Sequence, residues 1–224
     1  MDLSINKQLI DLKAKSLSKL IEQHLEKMIL DGELAPGERI NESSLSQRLK
    51  ISRAPIREAC RQLAQYGLVE TRVGRGAYIC QVSLDEAIEL YELRGILDAY
   101  AAEKVSQKAD AAIAENLGGL VEEMRSLAKG DHQRDYLIAN LNFHRRIIEL
   151  SGNGSLALMY DGVVNKLALF RQMTLSTADR RPRSLMQHEQ IFEAIVGNNP
   201  RLAGELARSH VEDAKKVLIE SRTA

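Results

Sequence analysis

The chain has 224 residues, 44% hydrophobic and 28% charged, and its 31 Lys+Arg are balanced by 31 Asp+Glu. That balance excludes an intrinsically disordered chain and leaves enough length for one or two cored domains. With no Trp, three Phe and six Tyr, aliphatic side chains are expected to fill the core, and the four Pro and 14 Gly favour long helices.

The N-terminus, MDLSINKQLIDLKAK, has neither an h-region nor a small-residue cleavage site. Residues 1–14 read as a mobile polar tail. A first helix is expected from about Ser16 to Asp31, with Leu17, Leu20, Ile21, Leu25, Met28 and Ile29 at helical spacing. Gly32 ends it and Pro36-Gly37 makes a turn. Asn41 caps a short helix through Leu45 and Leu49. Residues 50–52 turn the chain into a third helix with Pro55 in its first turn and Gly67 at its end. Ile56, Ala59, Cys60 and Leu63 form the inward face of that helix. The period then changes: 68–73 and 77–82 alternate as strands around Gly74-Arg75-Gly76. Three helices followed by a hairpin make a winged helix-turn-helix pattern.

Beyond residue 82 every segment reads helical. Ser83 with Glu86 is a capping-box signature for a helix running to about Gln107. Asp110 caps the next, ending near Gly130. A third starts near Asp131 and ends at Ser151, and a fourth runs from Ser155 to about Ser176. After a basic loop, ADRRPR, a fifth runs from Ser184 to Val196. Asn199-Pro200 opens the last, which ends near Arg222. The fold class is therefore mainly α: a winged helix-turn-helix domain at 15–82 and an all-α bundle at 83–224. Two cysteines, Cys60 and Cys80, cannot build a disulfide framework, and no apolar run approaches a membrane span. A cytoplasmic protein with no membrane partner is expected.

The balanced total hides an asymmetry. Residues 1–80 carry 13 Lys+Arg against 10 Asp+Glu, and residues 81–224 carry 18 against 21. Between positions 48 and 75 stand Arg48, Lys50, Arg53, Arg57, Arg61, Arg72 and Arg75, opposed only by Glu58 and Glu70. Charge alone fits a solvated face as well as a phosphate footprint. Its place on a helix pair plus wing favours double-stranded DNA. The helix at about 53–66 would enter the major groove. Arg53, Ala54 and Arg57 would meet base edges or phosphates there. Ser43, Ser44 and Ser52 are suited to phosphate contacts, and Gly74 and Arg75 to the backbone or minor groove.

At these residues the chain resembles a known family. The stretch PGERINESSLSQRLKISRAPIREACRQLAQYGLVETRVGRGAYI resembles the DNA-binding domain of GntR-family transcriptional regulators. The all-α remainder resembles the FCD domain of the FadR-like branch, its six helices being similar to the VanR-type subgroup. The resemblance covers about residues 15–222. It implies a homodimer on an operator with dyad symmetry, usually a repressor, controlled by a small molecule in the helical domain. It implies DNA contacts at Ser43, Ser52, Arg53, Ala54, Arg57 and the wing around Gly74 and Arg75. Ser43 stands where the family often has arginine, and Ala54 where threonine is usual. Both changes remove donors, which implies an altered operator or weaker phosphate contacts.

Three of the five histidines, His144, His188 and His210, fall on three different helices of the second domain. Asn140 lies one turn before His144, on the same face. Three imidazoles and an oxygen suit a divalent ion such as Zn²⁺, Ni²⁺ or Mn²⁺, although a lone helical His is more often structural. The FCD resemblance implies a metal site of Asp, His, His and His at these four positions, with Asn140 in place of the Asp. A neutral ligand there weakens the hold on a dication. The resemblance also places Arg94 in the effector pocket, where a guanidinium can grip a carboxylate. An ion pair with Asp98, four residues on, is the simpler reading of Arg94. Tyr91, Phe143 and Met173 are core residues or pocket walls. A metalloenzyme using the three histidines is the alternative function, but no HExxH motif is present and Asn140 removes the most obvious acid. A constitutive architectural DNA binder is a third reading.

Overall fold

The computed structural model describes residues 3–129, 132–175 and 180–223, without the side chains of 3–15, 169–180 and 221–223. The chain divides into two units, Met1–Val82 and Ser83–Ala224.

The first unit begins with α1, Leu3–Leu30. The expected tail at 1–14 is corrected by this: helix starts at Leu3, because no Gly or Pro interrupts a run rich in Leu and Lys. Ile21, Leu25 and Ile29 recur at four-residue intervals and are buried. A two-residue strand, β1 (Arg39–Ile40), precedes α2 (Glu42–Leu49) and α3 (Arg53–Gln65). The Asn41 side chain accepts from Ser44 N at 2.9 Å and so caps α2. Lys50, with φ of 53°, makes the left-handed exit into the turn. Ile56, Ala59, Cys60 and Leu63 are buried as expected. Gly67, with φ of 72°, stops the segment in a conformation that favours glycine. The wing is β2 (Val69–Arg72) antiparallel to β3 (Gly76–Ile79), with Glu70 opposite Tyr78. β1 adds to β3, a pairing too short to leave a period in the sequence.

The second unit holds α4 (Leu84–Ser106), α5 (Ala111–Leu127), α6 (Gln133–Leu150), α7 (Gly154–Leu175), α8 (Arg180–Val196) and α9 (Pro200–Thr223). Ser83 Oγ accepts from Glu86 N at 3.1 Å, and Asp110 Oδ1 from Ile113 N at 2.8 Å, so both expected caps form. Gly130 and Asp131 lie outside the described residues, and α6 starts at Gln133. The basic segment ADRRPR is corrected in part: α8 already includes Arg180, with Pro182 in its first turn, where a missing N–H costs nothing. The core is largely aliphatic, as expected, with Ile, Leu, Val and Ala making up most of its buried residues. Tyr91, Tyr136, Tyr160 and Phe143 are among the largest fully buried side chains, so the few aromatic residues sit at the centre of this unit. Gly204 lets α9 approach α4 closely, since a Cβ there would meet the Glu103 side chain, whereas Gly95 lies at ordinary contact distance from Val211.

Candidate functional site

The first candidate surface is α3 with the wing. Ser44, Arg48, Ser52, Arg53, Ala54, Arg57, Gly74 and Arg75 are all exposed, and Ser43 is half-buried. The inward residues of α3 fix its orientation, and Arg53 and Arg57, one turn apart, project from its other side. Ser52 is the N-cap residue of α3 but makes no side-chain capping bond, so its hydroxyl is uncommitted there. Ser46 Oγ donates to Ile51 O at 2.6 Å and tightens the turn between α2 and α3. Arg57 Nε donates to Glu42 Oε2 at 2.8 Å. Glu42 had no signal in the sequence beyond its place in the first turn of α2, and it is the residue that orients Arg57. Arg61 is held by Glu58, and this guanidinium with Gln62 brings the Glu58 carboxyl down to about 2. Burial pushes the Cys60 thiol up to about 11, with the Glu42 charge adding to the shift, so it behaves as a small apolar group.

The second candidate surface is a buried cluster in the other unit. His144 on α6, His188 on α8 and His210 on α9 are all buried, and their ligand-type atoms lie within 4.8 Å of one another. His144 Nε2 is 3.0 Å from His188 Nε2 and 3.2 Å from His210 Nε2. Asn140 Nδ2 is 3.0 Å from His188 Nε2, and exchange of the two amide atoms presents Oδ1 instead. All four sequence-predicted metal residues are therefore brought together. Phe143 walls the cluster, edge-on to His144 and His188 with ring centroids 5.8 and 5.1 Å away.

The far side of two of the rings fixes the tautomer. His188 Nδ1 is 2.6 Å from Ser184 O, which can only accept, so this nitrogen donates. His210 Nδ1 donates to Gln187 Oε1 at 3.0 Å. Gln187 Nε2 donates to Asp213 Oδ2 at 2.7 Å, which sets the amide orientation. His144 Nδ1 lies 3.6 Å from the Asp98 carboxylate. With the Nδ1 protons of His188 and His210 directed outward, the Nε2 lone pairs of these two rings face the His144 ring. That arrangement suits imidazoles around a shared cation. Separations of 3.0–3.2 Å bring these nitrogens close enough for one ion to be held by all three rings.

Arg94 is buried on α4, its Nε 3.1 Å from Asp98 Oδ2. The intrahelix ion pair expected as the simpler reading is thus present. Burial works against its charge, but Tyr160, Asp98 and Tyr91 around it more than offset this, and its pKa is raised. Tyr91 Oη, Arg94 Nη2 and Ser184 Oγ are buried and make no hydrogen bond among the described residues. A buried unpaired donor costs about 1–3 kcal/mol. The Met173 side chain lies outside the described residues.

Comparison with known proteins places this geometry. The model of bacterial regulatory proteins of the gntR family matches residues 17–79, and that of the FCD domain matches residues 89–213. The chain belongs to the GntR family and carries an FCD domain. It is similar to the HTH-type transcriptional regulator YdhC of Bacillus subtilis, 31% identical over 204 residues, covering 88% of this chain and 91% of the relative. The HTH-type transcriptional repressor RspR of Escherichia coli is 22% identical over 192 residues, covering 84% and 83%. A GntR transcriptional regulator from Rhodococcus sp. RHA1 shares the fold, with a TM-score of 0.75 at 21% identity over 92% of this chain and 98% of that one. This GntR-family chain is a DNA-binding transcriptional regulator and not an enzyme. The metalloenzyme alternative has no support. Among the described residues no helix is long and apolar enough to cross a membrane.

Proposed function

We propose that the protein is a cytoplasmic, homodimeric repressor whose affinity for operator DNA is set by a small organic acid bound beside a divalent cation. Residues 15–82 bind DNA, and residues 83–224 bind the effector and hold the dimer. The observation that carries the reading is the ring of Nε2 atoms at His144, His188 and His210, with Arg94 Nη2 and Tyr91 Oη buried and without a hydrogen bond among the described residues.

His144, His188, His210 and Asn140 hold the cation, and their donor chemistry suits Zn²⁺, Ni²⁺ or Mn²⁺. When bound, it supplies a Lewis-acidic centre with positions open to a carboxylate. Arg94 orients that carboxylate through the guanidinium fork, Tyr91 donates a further hydrogen bond, and Phe143 keeps water from one side. In the first unit, Arg53 and Arg57 read base edges. Ser43, Ser44, Ser52 and Arg48 hold phosphates, Ala54 packs against the groove, and Gly74 and Arg75 follow the backbone at the wing.

The dimer reading is supported by an apolar stripe on α4, where Leu93, Ile96 and Tyr100 are 37%, 51% and 41% exposed, and by Leu158 and Met159 on α7. Effector binding shifts the population between two dimer geometries, and the spacing of the recognition helices changes with it.

The test is binding to a duplex selected from a random pool. Arg53→Ala with Arg57→Ala is expected to abolish selective binding while leaving the melt intact. Selective binding that survives both substitutions overturns the DNA assignment. Protein purified without chelator is expected to carry one divalent ion per chain, and His144→Ala to lack it. Equal metal content in both overturns the cation assignment.

A further inference from the structure

This inference rests on the reading of His144, His188 and His210 as a cation site. Three neutral imidazoles and the Asn140 amide bring no negative charge to a buried dication, and unbalanced buried charge is costly. Two of the rings have neutral acceptors behind them: Ser184 O for His188 and Gln187 Oε1 for His210. The third is different. Asp98 is 2% exposed, and its Oδ1 lies 3.6 Å from His144 Nδ1. The other oxygen of the same carboxylate lies 3.1 Å from Arg94 Nε. One carboxylate therefore stands between the cation-facing ring and the buried guanidinium.

We propose that Asp98 is the positioning residue that supplies, through His144, the negative charge Asn140 withholds, and that by sharing this charge with Arg94 it couples cation affinity to anion binding. A carboxylate behind a ligating imidazole fixes the tautomer and strengthens the opposite nitrogen as a donor. The more Asp98 is drawn to Arg94, the less it polarises His144. An anion that pairs with Arg94 releases Asp98 toward His144 and tightens the hold on the cation. Linkage makes the effect reciprocal: the cation tightens the anion by the same factor. The site then responds to cation and organic acid together, although the two contact different side chains.

A purely structural Arg94–Asp98 pair predicts none of this, so Zn²⁺ affinity separates the two readings. The full chain is stripped with EDTA, its fold is checked by a melt in EDTA, and Zn²⁺ is titrated against a chromophoric chelator. Asp98→Asn is expected to weaken Zn²⁺ about 10–100-fold, the usual range for such supporting groups. Arg94→Gln is expected to tighten it about fivefold or more, the lower end of typical coupling. The double variant leaves neither charge buried alone, so it remains informative if Asp98→Asn does not fold. It is expected to bind as weakly as Asp98→Asn, because Arg94 acts only through Asp98. Affinities unchanged from wild type in Arg94→Gln and the double variant, with His144→Ala losing Zn²⁺, overturn the role of Asp98 and leave the cation site standing. Undiminished binding in His144→Ala overturns the cation site, and the role of Asp98 with it.

Discussion

Replacing Glu42 by Gln tests how the recognition helix reads DNA. Arg57 Nε donates to Glu42 Oε2 at 2.8 Å, and the two side chains are 64% and 20% exposed. An ion pair so exposed is worth about 0–1 kcal/mol to folding, so the melt should barely move. DNA binding carries two opposed effects. Losing one carboxylate near the phosphates adds at most one effective charge, about 0.9 in the salt slope, which at 0.15 M salt is roughly fivefold on any duplex. Losing the restraint frees an Arg side chain that carries about 2 kcal/mol of rotamer entropy, and that loss falls only where Arg57 must adopt one pose. Affinity for a selected duplex should therefore change little, while the ratio of selected to scrambled binding falls about 5–30-fold, equivalent to about 1–2 kcal/mol. Fluorescence anisotropy on both duplexes at two salt concentrations gives the ratio. A ratio that holds or rises would show that Glu42 restrains Arg57 away from the bases, and the positioning argument would be refuted.

Other expected outcomes are simpler to state. Asn140→Asp adds a carboxylate among the histidines, and Zn²⁺ should bind at least about tenfold more tightly in chelator competition; an unchanged affinity removes Asn140 from the ligand set. Ser106 Oγ is buried and donates toward Ala194 O at 3.3 Å and Ile195 O at 3.2 Å. Ser106→Ala should cost about 1–2 kcal/mol in denaturant unfolding of the second unit, and a neutral result means that the end of α8 finds other donors. Cys60, raised by burial to about 11, should resist iodoacetamide at pH 9. Its folded value lies above the unfolded one, so its contribution is full below about pH 9 and is lost between about 9 and 11. Cys60→Ala should lack that component, and rapid labelling of the folded protein at pH 9 would contradict the burial argument.

Much of the site was readable because its signals are local. Asn140 and His144 announce themselves by a four-residue interval, and Arg94 and Asp98 do the same on α4. His188 and His210 needed the family resemblance, since nothing in their spacing tells that α8 and α9 meet α6. The partnership of Asp98 with His144 was not legible, because it depends on how α4 packs against α6. Glu42 escaped for the same reason: α2 and α3 are consecutive, but the turn that aims one at the other is fixed by Lys50 and Ser46. The misplaced start of α1 has another cause. The polar residues of this stretch resemble a tail, but they are unbroken helix formers and extend the helix to Leu3. Pro182 suggests a loop by itself, yet the first turn of a helix accepts proline and α8 includes it.

The close approach of α4 and α9 has a mechanical consequence. Gly95 lies 3.8 Å from Val211 when given a Cβ, and at Gly204 the same construction meets the Glu103 side chain. Among the described residues, α4 packs on α9 more extensively than any other two elements pack. Asp98 and His210 therefore move as parts of one body, while His144 and His188 belong to other helices. A cation held by all three histidines, as proposed, would clamp α6 and α8 onto that body. Its release would be felt as rocking of the α4–α9 pair, with Leu93, Ile96 and Tyr100 carried along on the outer face of α4 as the output arm.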